Sequence, residues 1–457
     1  MRSDIADLLE LARDVYGASD ECAARLDAQS DRLREPLRVA LVGSEGSGKS
    51  TLINALIEED GGRMSPARST KLVTWFRYGD TPRVRVRLAD CVRHLEVQRP
   101  REILRDLTLI DTPGTGSPGG AASRRAVSFL LPKGGPAAAD VVLYVTSDVR
   151  PPDLEVLRAY RAASAGLSRG VSAILVLGRA DEAGTGGVES LLAARARAGR
   201  LADDPDVRSL VVSTVPVSGL LAQGARTLRD TELSALDSIA ALGRAARKRI
   251  TASVEALSAP GPELDLPRVQ RAALLDRLGP FGVRLATVLL AGGTSSDDLR
   301  GELTGQSGID DLRGALEGLR SRADFFKADA ALALVADIVR NHPRASGTAD
   351  VESAIERVRV GAHDLRELLT LAAISRSALP AELRADVTSL LGGRGTSPAH
   401  RLNIVEPTAV ENLVDRARGE VSRWRALADD DGSDPEVAGI ARVVVRSAEG
   451  MLDELAG

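Results

Sequence analysis

The chain has 457 residues, 44% hydrophobic and only 2% aromatic, with 60 basic and 64 acidic side chains leaving a formal net charge of −4. That length predicts two or three units of roughly 150 residues; the apolar content excludes a disordered chain, and the balanced charge, with no isolated Lys/Arg block, argues against nucleic acid as a partner. Cys22 and Cys91 are the only cysteines, the four histidines are unclustered, and no run approaches 18 apolar residues, which excludes a disulfide framework, a structural zinc site and a membrane-spanning helix.

The opening MRSDIADLLELARD carries acids where a signal peptide needs an apolar core, so a reducing cytoplasmic setting is expected. From Ile5, apolar or small residues recur at Leu8, Ala12, Val15, Ser19, Cys22, Leu26 and Leu33, with a gap at Gln29. The spacing predicts a helix before Pro36, its narrow apolar seam packed on another helix.

Between Leu37 and about Leu221 the pattern changes to short β-branched runs: LRVALVG, KLVTWFRYG, RVRVRL, LTLID, DVVLYVTS, VSAILVLG and SLVVSTVPV. Several are apolar throughout, as strands covered on both faces are. Val84, Val86 and Leu88 alternate with arginine, which predicts a half-exposed edge strand. Trp75, Phe76 and Tyr78 are expected to pack the sheet.

Beyond residue 222 helical periodicity takes over, with three-and-four seams at Val410, Leu413, Ala417, Val421, Trp424 and at Val437, Ile440, Val444, Ala448, Met451, Leu455. These, with the N-terminal seam, predict a helical bundle. Breaks are expected at AGGTSSDD, GGRGTSPAH and DDDGSDP. The division is therefore 1–36 for the N-terminal helix, 37–222 for an α/β domain with a mostly parallel sheet and helices on both faces, and 223–457 for an all-α neck or stalk.

The stretch GSEGSGKST supplies the chemistry. Gly43, Gly48, Lys49 and Ser50 satisfy GxxxxGK[ST] between a buried strand and a helix. Backbone N–H groups from Gly43, Ser44, Gly46, Ser47, Gly48 and Thr51 can curl around phosphate oxygens at a helix N-terminus. Lys49 then reaches the β/γ phosphates and Ser50 ligates Mg²⁺. Lysine is scarce here, at five against 55 arginines, and a compact ammonium suits a tight loop where a planar guanidinium does not.

Asp111-Thr112-Pro113-Gly114 follows the strand LTLI. In P-loop switch proteins such an Asp holds Mg²⁺ through water and the Gly amide senses the γ-phosphate. The stretch TGSPGGAASRRAVSFLLPKGGPAAAD that follows has the composition of a switch segment or a loose loop. Further on, LGRAD ends the strand AILVL where GTPases carry [NT]KxD. Asp181 fits the guanine-pairing position, Arg179 stands for Lys and can stack on a purine, and Gly178 replaces Asn or Thr. Val217-Ser218-Gly219 sits where a backbone amide would meet the guanine O6.

Read together, GSEGSGKST, STKLVTWFRYG, DTPG, LGRAD and VPVSGLLA resemble the bacterial dynamin-like GTPases of actinobacteria, the type that includes the isoniazid-induced proteins. The resemblance is clearest over Leu37 to Ala222. It implies that Thr70 is the switch I threonine contacting Mg²⁺ and the attacking water, with Ser69 or Thr74 as fallback. Lys49, Thr70 and Gly114 are then the catalytic set, and Ser50, Thr70 and Asp111 the metal set. Dynamins often place a catalytic Gln or Ser inside the P-loop; this chain has Glu45 and Gly46, and Glu45 is left outside the set.

The resemblance further implies GTP-dependent dimerisation of the heads, a possible second dynamin-like partner, and peripheral action at the inner face of the cell membrane. Arg277 to Gly293 is the local candidate for membrane contact, with a buried stalk helix as the alternative. Two other functions are weighed: a low-turnover nucleotide-binding scaffold, kept open by Glu45 and GRAD, and a ribosome-assembly GTPase, against which the long helical seams argue.

Overall fold

A computed structural model describes residues 2–59, 72–89, 92–113, 138–163, 172–184, 187–208, 210–259, 264–342, 346–361, isolated positions between 363 and 377, 379–404, 409–430 and 435–456. The N-terminal seam forms two helices, α1 (Arg2–Tyr16) and α2 (Asp20–Arg34), where the spacing predicted one. Gly17 and Ser19 cause the break. Ser19 is extended, at φ −91° and ψ 117°, and its hydroxyl accepts the Cys22 N–H, capping α2. Gln29, the gap in the seam, is buried and donates to the Lys327 carbonyl at 3.2 Å.

The α/β region runs β1 (Leu37–Val42), α3 (Lys49–Leu56), β2 (Val73–Tyr78), β3 (Arg83–Ala89), β4 (Val92–Arg99), α4 (Ile103–Asp106), β5 (Leu107–Asp111), β6 (Val141–Thr146), α5 (Pro151–Ala163), β7 (Ala173–Gly178), α6 (Ser190–Asp203), α7 (Pro205–Arg208) and β8 (Ser213–Val217). The eight-stranded sheet has the order β3-β4-β2-β5-β1-β6-β7-β8. Strands β5, β1, β6, β7 and β8 are parallel, and β2 joins antiparallel to β5.

Strands β6 and β7 are buried at every position, as their unbroken apolar runs require. Their carboxyl ends, with that of β1, open on one rim of the sheet, and the site gathers there. Strand β4 is one the sequence did not disclose: VRHLEVQR is mostly polar and breaks alternation at Arg93-His94 and Gln98-Arg99, although Val97 is fully buried. Strand β3 is the edge, as expected. Yet Val84 and Val86 are 53% and 66% exposed, because no described element covers either face of β3 there. Phe76 is fully buried, while the Trp75 ring has the Arg38 and Arg77 guanidiniums 5.0 and 5.2 Å from its centroid.

Helices alone follow: α8 (Gly219–Thr227), α9 (Asp230–Ala240), α10 (Arg244–Ile250), α11 (Val254–Ser258), α12 (Arg268–Ala291), α13 (Ser296–Gln306), α14 (Ile309–Arg320), α15 (Ala323–Asn341), α16 (Thr348–Gly361), α17 (Ala381–Leu390), α18 (Pro398–Arg401), α19 (Val410–Ala428) and α20 (Pro435–Ala456). Helix α1 packs on α15 and α16, α2 on α15, and α19 on α20. The N-terminal seam thus packs chiefly on middle helices. One apolar cluster nonetheless runs from Ile5 through Val335 to Trp424 and into Leu41 under the sheet.

Helix α12 contains the membrane candidate. It kinks at Gly279 (φ 67°, ψ 173°) before Pro280, and Leu278, Phe281, Val283 and Ala286 are buried. Arg277 pairs with Glu232 at 2.8 Å, and Arg284 donates to the Thr251 and Ala252 carbonyls. Packing therefore favours the core-helix alternative. No described helix is long and apolar enough to cross a membrane.

Candidate nucleotide site

Between β1 and α3 the chain turns through Gly43 (φ 148°), Gly46 (φ 75°) and Gly48 (φ 96°), conformations that side chains rarely tolerate. A Cβ on Gly43 would lie 2.0 Å from the Val145 carbonyl oxygen, so β6 sets how tightly the loop closes. Lys49 opens α3 and is buried; its Nζ donates to the Gly43 and Ser44 carbonyls at 2.9 and 2.7 Å. Burial lowers the pKa of its ammonium, while Asp111 and Glu45 pull it back up. Glu45 itself is exposed at the loop apex.

At the end of β5, Asp111 accepts the Ser50 hydroxyl at 2.9 Å through Oδ2. Burial pushes its pKa up to about 6 against the opposing effects of the Ser50 hydrogen bond and the Lys49 charge. Its Oδ1 is buried without a hydrogen-bond partner, as is the Ser47 hydroxyl. A buried carboxylate oxygen left unpartnered beside a serine hydroxyl is a donor set of the hard type that Mg²⁺ takes, usually with waters and phosphate oxygens completing the shell. The residues present fit the ion. Thr70, its fallback Ser69, and Gly114 lie outside the described residues. The other fallback, Thr74, is fully buried in β2 opposite Asp111, its hydroxyl directed 3.5 Å from the Leu72 carbonyl.

A cavity of about 180 Å³ adjoins the loop, lined by Ser47, Thr51, Arg179, Asp181, Gly219 and Leu220 among others. Arg179 is left-handed (φ 56°); its Nε donates to the Gly46 carbonyl at 3.0 Å and its Nη1 pairs with Glu182. A Cβ on Gly178 would sit 2.5 Å from the Ser47 carbonyl oxygen. Thus the glycine that departs from [NT]KxD is the residue on which the phosphate loop rests.

A family model described as a 50S ribosome-binding GTPase matches residues 38–170. The isoniazid-induced protein IniC of Mycobacterium tuberculosis is 34% identical over 475 residues, covering 96% of this chain and 94% of its own length. The chain belongs to the isoniazid-induced type of bacterial dynamin-like GTPases. A probable transmembrane GTPase FZO-like, chloroplastic, of Arabidopsis thaliana is 29% identical over 154 residues, 33% of this chain and 16% of its own. A solved structure of an oligomerised bacterial dynamin pair covers 99% of this chain and 74% of its own at 12% identity, with a TM-score of 0.31.

In this dynamin-like GTPase the structure brings Gly43, Ser44, Gly46, Ser47, Gly48, Lys49, Ser50, Thr51, Asp111, Arg179, Asp181 and Gly219 around one cleft. Ser218 needs a correction. Its side chain is fully buried and caps α8 by accepting the Leu221 N–H at 3.3 Å. Its own N–H donates to the Ser307 carbonyl at 2.9 Å, so it is not the amide offered to a base. Gly219 lines the cavity. Sequence reasoning also missed Glu182 and Leu220, both in the cavity wall; adjacency to Asp181 and Gly219 was the only signal available.

Proposed function

We propose that this chain binds GTP with Mg²⁺ in the Gly43–Thr51 cleft and uses its hydrolysis to drive head dimerisation and membrane tethering or remodelling. The carrying observation is the conjunction of buried Lys49 beneath the glycine loop with the Ser50–Asp111 pair, next to a cavity that ends at Asp181. Lys49 would exchange its two carbonyl partners for phosphate oxygens, offsetting the burial that now disfavours its charge. The loop amides and the α3 N-terminus would take the remaining phosphate charge. When bound, Mg²⁺ would neutralise charge on the β and γ oxygens. Asp181 would accept the two guanine N–H donors while Arg179 covers the ring face. Thr70 and Gly114 are assigned to the nucleophile and the γ-phosphate by their match to family motifs alone.

Membrane action, a peripheral position at the inner face of the cell membrane, and a second dynamin-like partner rest on family membership and on the long helical part that follows the GTPase fold. Identity to IniC extends over that helical part, which argues against a ribosome-assembly role. The scaffold reading is favoured by one observation: Glu45 places a carboxylate at the loop apex, where it would oppose phosphate charge. Measuring GTP turnover with Mg²⁺, with and without liposomes, separates these readings. Turnover stimulated by liposomes is expected; measurable binding without turnover would favour the scaffold, and turnover indifferent to lipid would remove the membrane role.

A further inference from the structure

Helix α3 starts at Lys49 and ends at Leu56, and two residues later Glu58 has φ 55°, a left-handed conformation that a glutamate rarely adopts. Strain of this kind persists only where surrounding groups hold it. The Glu59 N–H donates to the Asn54 carbonyl at 2.9 Å and closes the turn at the end of α3, and two arginines hold the carboxylate. Arg226, in the last turn of α8, pairs with the Glu58 carboxylate, and Arg313 of α14 pairs with it at 2.9 Å while also reaching the Leu56 carbonyl at 3.4 Å. Asp310, at the start of α14, lies 3.8 and 3.5 Å from the same two guanidiniums.

The three helices joined here have a common feature. Helix α3 begins at the phosphate loop, and α8 begins at Gly219 in the base cavity. Helix α14 begins at the Ser307–Gly308 corner, which touches the base loop. The Ser218 N–H donates to the Ser307 carbonyl, and Gly308, left-handed at φ 79°, leaves only 2.1 Å between a built Cβ and the Pro216 carbonyl oxygen. Helices α3 and α8 also pack together near the cleft, where a Cβ on Gly219 would lie 3.4 Å from the Leu52 nitrogen.

We propose that Glu58 is a positioning residue: through Arg226 and Arg313 it fixes α3 against α8 and so sets the spacing between the phosphate loop and the base cavity. A glutamate in place of the glycine that this backbone favours is explained by the carboxylate it supplies to both guanidiniums. The inference rests on the cleft being the GTP site.

The test compares Glu58→Gly, Glu58→Gln and the parent for GDP binding by calorimetry, steady-state GTP turnover and thermal midpoint. Glu58→Gly removes the carboxylate but suits the backbone, so its thermal midpoint should match or exceed the parent's. The expected result is a KM for GTP and a Kd for GDP raised about fivefold with kcat little changed. Glu58→Gln, which keeps a hydrogen-bonding head, should recover part of that loss. Nucleotide parameters of Glu58→Gly equal to the parent's would overturn the proposal, as would a fall in kcat at unchanged KM. If the parent itself binds no guanine nucleotide with Mg²⁺, it is the site assignment that fails, and the variants then differ only in stability.

Discussion

Arg179 Nε donates to the carbonyl oxygen of Gly46 at 3.0 Å, a hydrogen bond between the base motif and the phosphate loop across 133 positions of sequence. The two motifs are therefore one mechanical unit, and the residue preceding Arg179 has to be small enough to let them meet.

That requirement predicts the effect of Gly178→Ala. The added Cβ would meet the Ser47 carbonyl oxygen at 2.5 Å and must push the loop away. Overpacking of this kind costs about 1–3 kcal/mol. Affinity for GDP should fall about tenfold, equivalent to about 1.4 kcal/mol. Calorimetric titration checks it, and unchanged affinity would show that the loop tolerates the shift.

Lys49→Ala should abolish nucleotide binding. The ammonium is buried, held by two backbone carbonyls, and is the cation positioned beneath the glycine loop. Retained GTP affinity in calorimetry would refute the assignment of the phosphate site.

The base assignment is tested independently. With Asp181 as the acceptor for guanine donors, the parent should prefer guanine to adenine nucleotides by about tenfold or more, and Asp181→Ala should lose that preference. Competition of ATP against a fluorescent GDP measures both. Equal competition by ATP and GTP in the parent would overturn the base reading and leave the phosphate site standing.

Asp111 gives a pH-dependent prediction. Its folded pKa, about 6, is raised above the ordinary aspartate value of 3.8, so its charged form destabilises the nucleotide-free, Mg²⁺-free fold. That penalty is full above pH 6 and is relieved as pH falls toward 4; the shift corresponds to at most about 3 kcal/mol. In EDTA, Asp111→Asn should melt above the parent at pH 7.5, and the difference should shrink by pH 5. A pH-independent difference in midpoint would argue against a buried charged carboxylate.

Much of this fold was written in short contiguous stretches. GSEGSGKST specified its loop because φ-permissive glycines and a helix start act over a few residues, and unbroken apolar runs announced the central strands because both faces of β6 and β7 are covered. The turn-rich breaks near residues 292 and 395 were legible for the same reason: capping and glycine conformations are local physics.

What folding alone decided lies where distant segments meet. The sequence could not show that Ser307 would claim the Ser218 N–H, that Ser47 would leave room only for a glycine at 178, or that Arg226 and Arg313 would meet on the Glu58 carboxylate. Nor could it show that α1 packs against α15 and α16 in preference to the C-terminal seams, since an apolar stripe specifies that a helix is buried and not which helix buries it. Local propensity and patterning fix elements and loops; the choice among partners depends on contacts between segments hundreds of residues apart, and those exist only once the chain has closed on itself.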